Sequence, residues 1–175
     1  MEEKFDYKFK ISLIGAASVG KTSLILRYVK NTFKSDLKST IGTNFMIKPV
    51  MIDGVKVQLL IFDIGAQDQF VSMRAKYFQG SNGSIAVYDV TSLESLRALP
   101  EWIMSLRDVC GNIPILIVGN KTDLAEQRAV SRMDAEAIAS RFTCLHGEAS
   151  AKTGEQVEEM FVRIARACLE LSCTT

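Results

Sequence analysis

The sequence predicts an α/β fold: a six-stranded, mostly parallel sheet with one antiparallel edge strand and about five helices spread over both faces. Three observations lead there. Apolar runs and helix-period segments alternate along the whole chain, the pattern of strands joined by helical crossovers. Asp53-Gly54 separates two strand-like runs and is a strong hairpin signal, which makes that pair antiparallel. Finally, the first apolar run passes into a helical segment through the glycine-containing turn Gly15 to Gly20.

In chain order, Phe9-Lys10-Ile11-Ser12-Leu13-Ile14 alternates in character and places a strand at 8–14, and Ser23 to Val29 lies in a helix at 21–30. The stretch from Asn31 to Asn44 holds Ser35, Asp36, Ser39, Thr40 and Gly42 with little apolar periodicity; a loop of that length is a functional candidate. Strands at 44–52 and 56–62 flank Asp53-Gly54. The segment Asp63 to Gln69 follows at a strand's carboxyl end, the edge where open α/β sheets bind ligands. A helix at 70–78 and a strand at 83–89 come next. Pro100 falls inside the helical pattern at 92–109, which predicts a short turn before it and the regular helix from about that point. Ile113 to Gly119 is the strongest apolar run and gives a strand at 114–119. Ser131 is the expected N-cap of a helix at 131–141, with Asp134 in its first turn. A strand at 142–146 and a helix at 154–170, with Val157, Met160, Phe161, Ile164 and Cys168 on its core face, complete the chain.

With 175 residues and 47% hydrophobic content, one domain over 1–175 is large enough to bury a core without metal or disulfide. A net charge of +1 with no basic block argues against a nucleic-acid surface. Cys110, Cys144, Cys168 and Cys173 lack C-x-x-C spacing and read as reduced thiols, mostly core fillers, of a cytoplasmic protein. Met1 to Asp6 is too charged for a signal sequence, and no apolar stretch has the length of a membrane span.

The turn itself carries the chemistry. Gly15-Ala16-Ala17-Ser18-Val19-Gly20-Lys21-Thr22 matches G-x-x-x-x-G-K-[ST] at every fixed position, between a strand and a helix as the P-loop NTPase fold requires. Its backbone N–H groups and the helix start that runs on into Ser23 suit phosphate. Lys21 can reach the terminal phosphates, and the Thr22 hydroxyl can ligate Mg²⁺.

Asn120-Lys121-Thr122-Asp123 stands at the carboxyl end of the strongest strand. A carboxylate there accepts two hydrogen bonds from guanine N1–H and its exocyclic amine, whereas adenine offers only an acceptor at N1. The expected ligand is therefore GTP or GDP. Lys121 can lay its stem over the base, and Asn120 can brace the neighbouring loops.

With Glu148-Ala149-Ser150-Ala151-Lys152 added at the end of the last strand, the chain resembles the Ras superfamily of small GTPases over nearly its whole length. Within it the Rab group is most similar, through Ile41-Gly42-Thr43-Asn44-Phe45, Lys76-Tyr77-Phe78-Gln79-Gly80 and Val87-Tyr88-Asp89-Val90-Thr91. That group's hydrophobic surface triad maps onto Phe45, Phe62 and Tyr77, with phenylalanine where tryptophan is usual.

The resemblance implies a slow GTP-hydrolysing switch in membrane traffic, with a role for each matching residue. Gly15, Ala17, Ser18, Val19, Gly20, Lys21, Thr22 and Ser23 would hold phosphates. Thr22, Thr40 and Asp63 would serve Mg²⁺, the last through a water. Phe33 would pack on the guanine edge, while Ser150, Ala151 and Lys152 would form the base loop with Asn120, Lys121 and Asp123. Gln67 would orient the hydrolytic water and Lys21 would stabilise charge on the transferred phosphoryl group. The implied partners are effectors, exchange factors and GTPase-activating proteins that read two switch loops of a monomer.

Three departures from the family pattern stand out. Asp63-Ile64-Gly65-Ala66-Gln67 exchanges glycine and alanine relative to the commonest D-x-x-G-Q form, so Ala66 occupies the position whose N–H meets the γ-phosphate. Should that position need φ above zero, alanine would cost roughly 1 kcal/mol. Leu37 stands where many relatives carry an aromatic lid. Leu171-Ser172-Cys173-Thr174-Thr175 does not satisfy C-a-a-X, which leaves peripheral membrane attachment dependent on a further tail. A scaffold that holds nucleotide without a hydrolytic cycle is the second reading. An ATPase or kinase is the third, and it would leave Asp123 unpaired against adenine.

Overall fold

The computed structural model describes residues 3–38, 40, 43–67 and 71–175. Among these, six strands form one sheet: β1 (Tyr7–Ile14), β2 (Thr43–Ile52), β3 (Val55–Ile64), β4 (Gly83–Asp89), β5 (Ile115–Asn120) and β6 (Leu145–Glu148), in the order β2-β3-β1-β4-β5-β6. β2 runs antiparallel to β3, from Thr43 opposite Ile64 to Ile52 opposite Val55, and every other neighbouring pair is parallel. Both turn residues of that hairpin are left-handed, Asp53 at φ 49° and Gly54 at φ 82°, as a two-residue connection between right-twisted strands requires.

The helices are α1 (Lys21–Lys30), α2 (Val71–Phe78), α3 (Leu93–Arg97), α4 (Leu99–Cys110), α5 (Arg132–Arg141) and α6 (Val157–Thr174). Side chains alternate across the sheet, so Ile11 and Leu13 face one layer while Ile14 faces the other. On the first side they join Leu59 and Ile61 beneath Leu24 and Tyr28 of α1 and Phe161 and Ile164 of α6. The Tyr28 and Phe161 rings stack there at 4.1 Å between centroids. On the second side Ile64, Ala86 and Ile117 pack under Phe78 of α2, Ile103 of α4 and Ala135 of α5. β4 is buried along its whole length, as a central parallel strand with both faces covered must be.

The helical pattern at 92–109 resolves into α3 and α4, with Pro100 in the first turn of α4, where its missing N–H costs nothing. Ser131 caps α5 by accepting from the Asp134 N–H at 3.1 Å.

Two boundaries move. The last strand starts at Leu145 rather than 142, because Thr143 takes φ 54° and the Cys144 N–H returns to the Ala139 carbonyl at 2.8 Å, which uses 142–144 as the exit turn of α5. The last helix starts at Val157 rather than 154, because Gly154 and Gln156 are left-handed and the Ser150 N–H reaches the Glu155 carbonyl at 3.0 Å. Only Cys168 is a fully buried cysteine; Cys110 and Cys144 are half-buried and Cys173 is exposed.

Phe45 and Phe62 stack across the β2–β3 ladder at 5.4 Å, and Lys10, whose ammonium lies 4.4 Å from the Phe62 ring, donates to the Tyr77 carbonyl at 2.7 Å. Phe62 is thus a half-exposed sheet-face residue beside the end of α2. Of the predicted loop residues, Ser39, Ile41, Gly42 and the segment 68–70 lie outside the described residues.

Candidate nucleotide-binding site

A cavity of about 510 Å³ opens at the carboxyl ends of the strands. Ala17, Ser18, Gly20, Lys21, Thr22, Ser23, Phe33, Thr40, Ala66, Gln67, Asn120, Lys121, Asp123, Ala151 and Lys152, all singled out in the sequence, line it together. Gly15, Val19, Asp63 and Ser150 stand behind the wall.

At one end the loop between β1 and α1 has the geometry of an anion cradle. Gly20, at φ 98°, precedes α1, and no side chain caps that helix, so its first N–H groups face the cavity with the positive end of the helix dipole. A Cβ on Gly20 would sit 2.2 Å from Asn120 Nδ2, and one on Gly15 would sit 2.3 Å from the Val87 carbonyl oxygen of β4. Glycine is dictated at both by neighbours 72 and 100 residues away. Lys21 is buried and donates to the Gly15 and Ala16 carbonyls at 2.9 and 2.8 Å. Burial pushes its ammonium down to about 8, with the Asp63 carboxylate working the other way.

Beside Lys21, Thr22 donates to Asp63 Oδ2, and the Thr40 hydroxyl lies 2.7 Å from that of Thr22 and 3.2 Å from Asp63 Oδ2. Asp63 is buried, and its Oδ1 has no hydrogen-bond partner. Two hydroxyls and a carboxylate with an unused oxygen form a hard-oxygen set that suits Mg²⁺. Among the described residues no cluster of three or more His, Cys, Asp or Glu exists, so an ion here would complete its shell from phosphate and water.

At the other end one side chain joins the two loops. Asn120 donates through Nδ2 to the Val19 carbonyl at 3.0 Å and accepts through Oδ1 from the Ala151 N–H at 3.1 Å. Lys121, left-handed at φ 71°, donates to the Ser18 carbonyl and pairs with Asp89, both at 2.8 Å. Burial alone would raise the Asp89 carboxyl, but hydrogen bonds from Lys121 and Thr91 hold it below its ordinary value. Ser150, fully buried, donates to Asp123 Oδ1 at 2.7 Å, which orients that carboxylate and takes the serine out of the cavity wall.

Neither Gly65 nor Ala66 is among the residues with left-handed φ, so the exchange of glycine and alanine carries no backbone strain in this conformation. Leu37 lines the cavity where an aromatic lid was noted as missing; Lys34, Ser35, Lys38 and Gly65 line it from the two segments singled out as functional candidates, and Leu124 lines it without having been expected. Arg27 is a further residue the sequence concealed. From α1 it donates to the Ala151 carbonyl at 2.8 Å and the Lys152 carbonyl at 2.7 Å, contacts across more than 120 residues for which no local pattern exists.

A model of the Ras family matches residues 10–170. Among curated relatives, the chain is 43% identical over 164 residues to Ras-related protein Rab-30 of Homo sapiens, covering 93% of this chain and 81% of that protein. It is 41% identical over 167 residues to Ras-related protein Rab-1 of Theileria parva, covering 94% and 76%. With Ras-related protein Rab-21 of Mus musculus it shares 39% over 165 residues, covering 94% and 74%.

Proposed function

The chain belongs to the Ras family as a Rab-like small GTPase, and on that premise we propose that its cavity is a Mg²⁺-dependent GTP/GDP switch acting in membrane traffic. The contact of Thr40 with Thr22 and Asp63 carries the reading. It brings a loop residue from beyond α1 to the point where the terminal phosphate and the ion would lie, so loss of that phosphate would release the loop.

Thr22, Thr40 and Asp63 would hold Mg²⁺, which when bound neutralises charge on the β- and γ-phosphates. Lys21 and the amides that open α1 stabilise charge on the transferred phosphoryl group. Gln67 orients the attacking water, and the bond from phosphorus to the GDP oxygen breaks as the water oxygen bonds to phosphorus. Asp123, oriented by Ser150, reads guanine, while Phe33 and the Lys121 stem flank the base and the Ala151 and Lys152 amides meet its oxygen. Effectors, exchange factors and activating proteins would read the loops around Thr40 and Ala66 on a monomer, in the cytoplasm or at a membrane periphery. No helix among the described residues is long and apolar enough to cross a membrane.

The nucleotide that co-purifies, and its GTP-to-GDP ratio over time, test the proposal: guanine nucleotide converting to GDP is expected, and co-purified adenine nucleotide overturns it. The Gly65-Ala66 order supports a second reading, a scaffold that holds nucleotide without turnover. Single-turnover hydrolysis by the wild type and by the Gly65→Ala, Ala66→Gly double variant separates the two. A faster double variant indicates a slowed enzyme, and no phosphate release from either indicates a scaffold.

A further inference from the structure

Gln67 lies between the end of β3 at Ile64 and the start of α2 at Val71. Arg74, in the first turn of α2, reaches back to that stretch and donates through Nη2 to the Ala66 carbonyl at 3.1 Å. The same guanidinium lies over the indole of Trp102, 3.9 Å from Cζ to the ring centroid. Trp102 belongs to α4, is 7% exposed, and is itself met at 60° by the Phe78 ring at 6.4 Å. A planar guanidinium stacked on a ring keeps its N–H groups in plane and free to donate outward, a combination no ammonium can make. Arg74 therefore spans two elements, a fixed helix on one side and the backbone immediately before Gln67 on the other.

Resting on the GTPase reading above, we propose that Arg74 is a positioning residue for hydrolysis: anchored on Trp102, it holds the Ala66 carbonyl and thereby places Gln67 against the attacking water. Trp102 is the single tryptophan of the chain, so the same contact makes its emission a report on this loop. The tether also accounts for a second switch that works with glycine one position early. Backbone placement at Ala66 is enforced by a hydrogen bond from outside the loop rather than by a left-handed hinge within it.

Wild type, R74A and R74K are compared by single-turnover GTP hydrolysis, by GDP and GTP affinity, and by tryptophan emission with GDP and with a non-hydrolysable GTP analogue. R74A is expected to slow hydrolysis about tenfold to a hundredfold while nucleotide affinities stay within about twofold, the signature of lost placement rather than lost binding. R74K, which keeps the charge but not the stacked fork, should resemble R74A. Wild-type emission should differ between the two nucleotides, and the difference should vanish in R74A. Equal hydrolysis in wild type and R74A, a parallel fall of affinity with rate, or an emission difference that survives in R74A would each overturn the proposal. Where R74A does not fold, R74K carries the same comparisons. A wild type that hydrolyses nothing defeats the GTPase reading, and the emission arm, run with whatever nucleotide binds, still decides whether Arg74 couples the loop to Trp102.

Discussion

Replacing Asn120 by alanine should weaken the fold and the ligand site together. Asn120 is 1% exposed, and its amide makes two buried hydrogen bonds, to the Val19 carbonyl and from the Ala151 N–H. Truncation leaves one buried carbonyl and one buried N–H without the partners they have in the fold. Each orphan costs on the order of 1–3 kcal/mol, so a total of about 3 kcal/mol is expected. For a chain of this length that corresponds to a melting temperature lower by roughly 6–12 °C. Because the brace lies between the phosphate loop and the base loop and its amide bonds to Val19 and Ala151 rather than to Thr40 or Ala66, GDP and GTP should weaken by the same factor, about a hundredfold if the whole cost falls on the bound state. Asp in place of Asn separates the two bonds. It still accepts from Ala151 but turns a carboxylate toward the Val19 carbonyl, and should fare no better than alanine. Thermal melts with and without GDP, and titration with fluorescent GDP and GTP analogues, provide the measurement. A melting temperature within about 2 °C of wild type, or a loss confined to GTP, would refute the reasoning.

Three further outcomes are expected. Burial pushes the His146 imidazole below its usual value, helped by Arg132 and opposed by Glu148 and Glu136, while Tyr88 hydrogen-bonds its Nε2. The unfolded chain thus takes up the proton first as pH falls, so stability is complete above about 6.5 and declines below it. As His146 is the only histidine, urea unfolding at pH 7 and 5.5 should show this slope in wild type and not in His146→Gln. Gly15→Ala, with its Cβ 2.3 Å from a backbone oxygen at φ 135°, should lose more than about 3 kcal/mol, whereas Gly147→Ala meets only the movable Arg163 Nη1 at 2.9 Å and should cost less than about 1 kcal/mol, as denaturant melts would show. Chelation of Mg²⁺ should speed GDP release in wild type far more than in Asp63→Ala, whose release in Mg²⁺ should already be fast; stopped-flow displacement of a fluorescent GDP would read both.

What the sequence revealed best was whatever is encoded locally. The phosphate loop, the hairpin at Asp53-Gly54, the break at Pro100 and the cap at Ser131 each follow from a few adjacent residues, and the structure places them as expected. The shifted start of β6 was hidden because Phe142 and Cys144 look like strand residues while serving to close α5 against the second core cluster. Arg27 and Arg74 were hidden for a different reason. An arginine on a helix reads as solvated surface until the fold brings Ala151 or Trp102 beneath it. Ser150 was placed in the base loop by its motif, whereas its buried bond to Asp123, 27 residues away, is visible only in the fold.

The cavity draws its walls from Ala17 to Lys152, with contributions from both ends of the chain and from a loop that follows β6, the last strand and one edge of the sheet. A nascent chain that has made the phosphate loop and α1 therefore owns half a binding site until the loop after β6 emerges. Binding can reward only the finished sheet. A nucleotide at a thousand times its dissociation constant adds about 4 kcal/mol to that state alone. The ligand is in this sense the last piece of the fold to arrive, and regulators that eject it would leave a protein that is less stable as well as switched off.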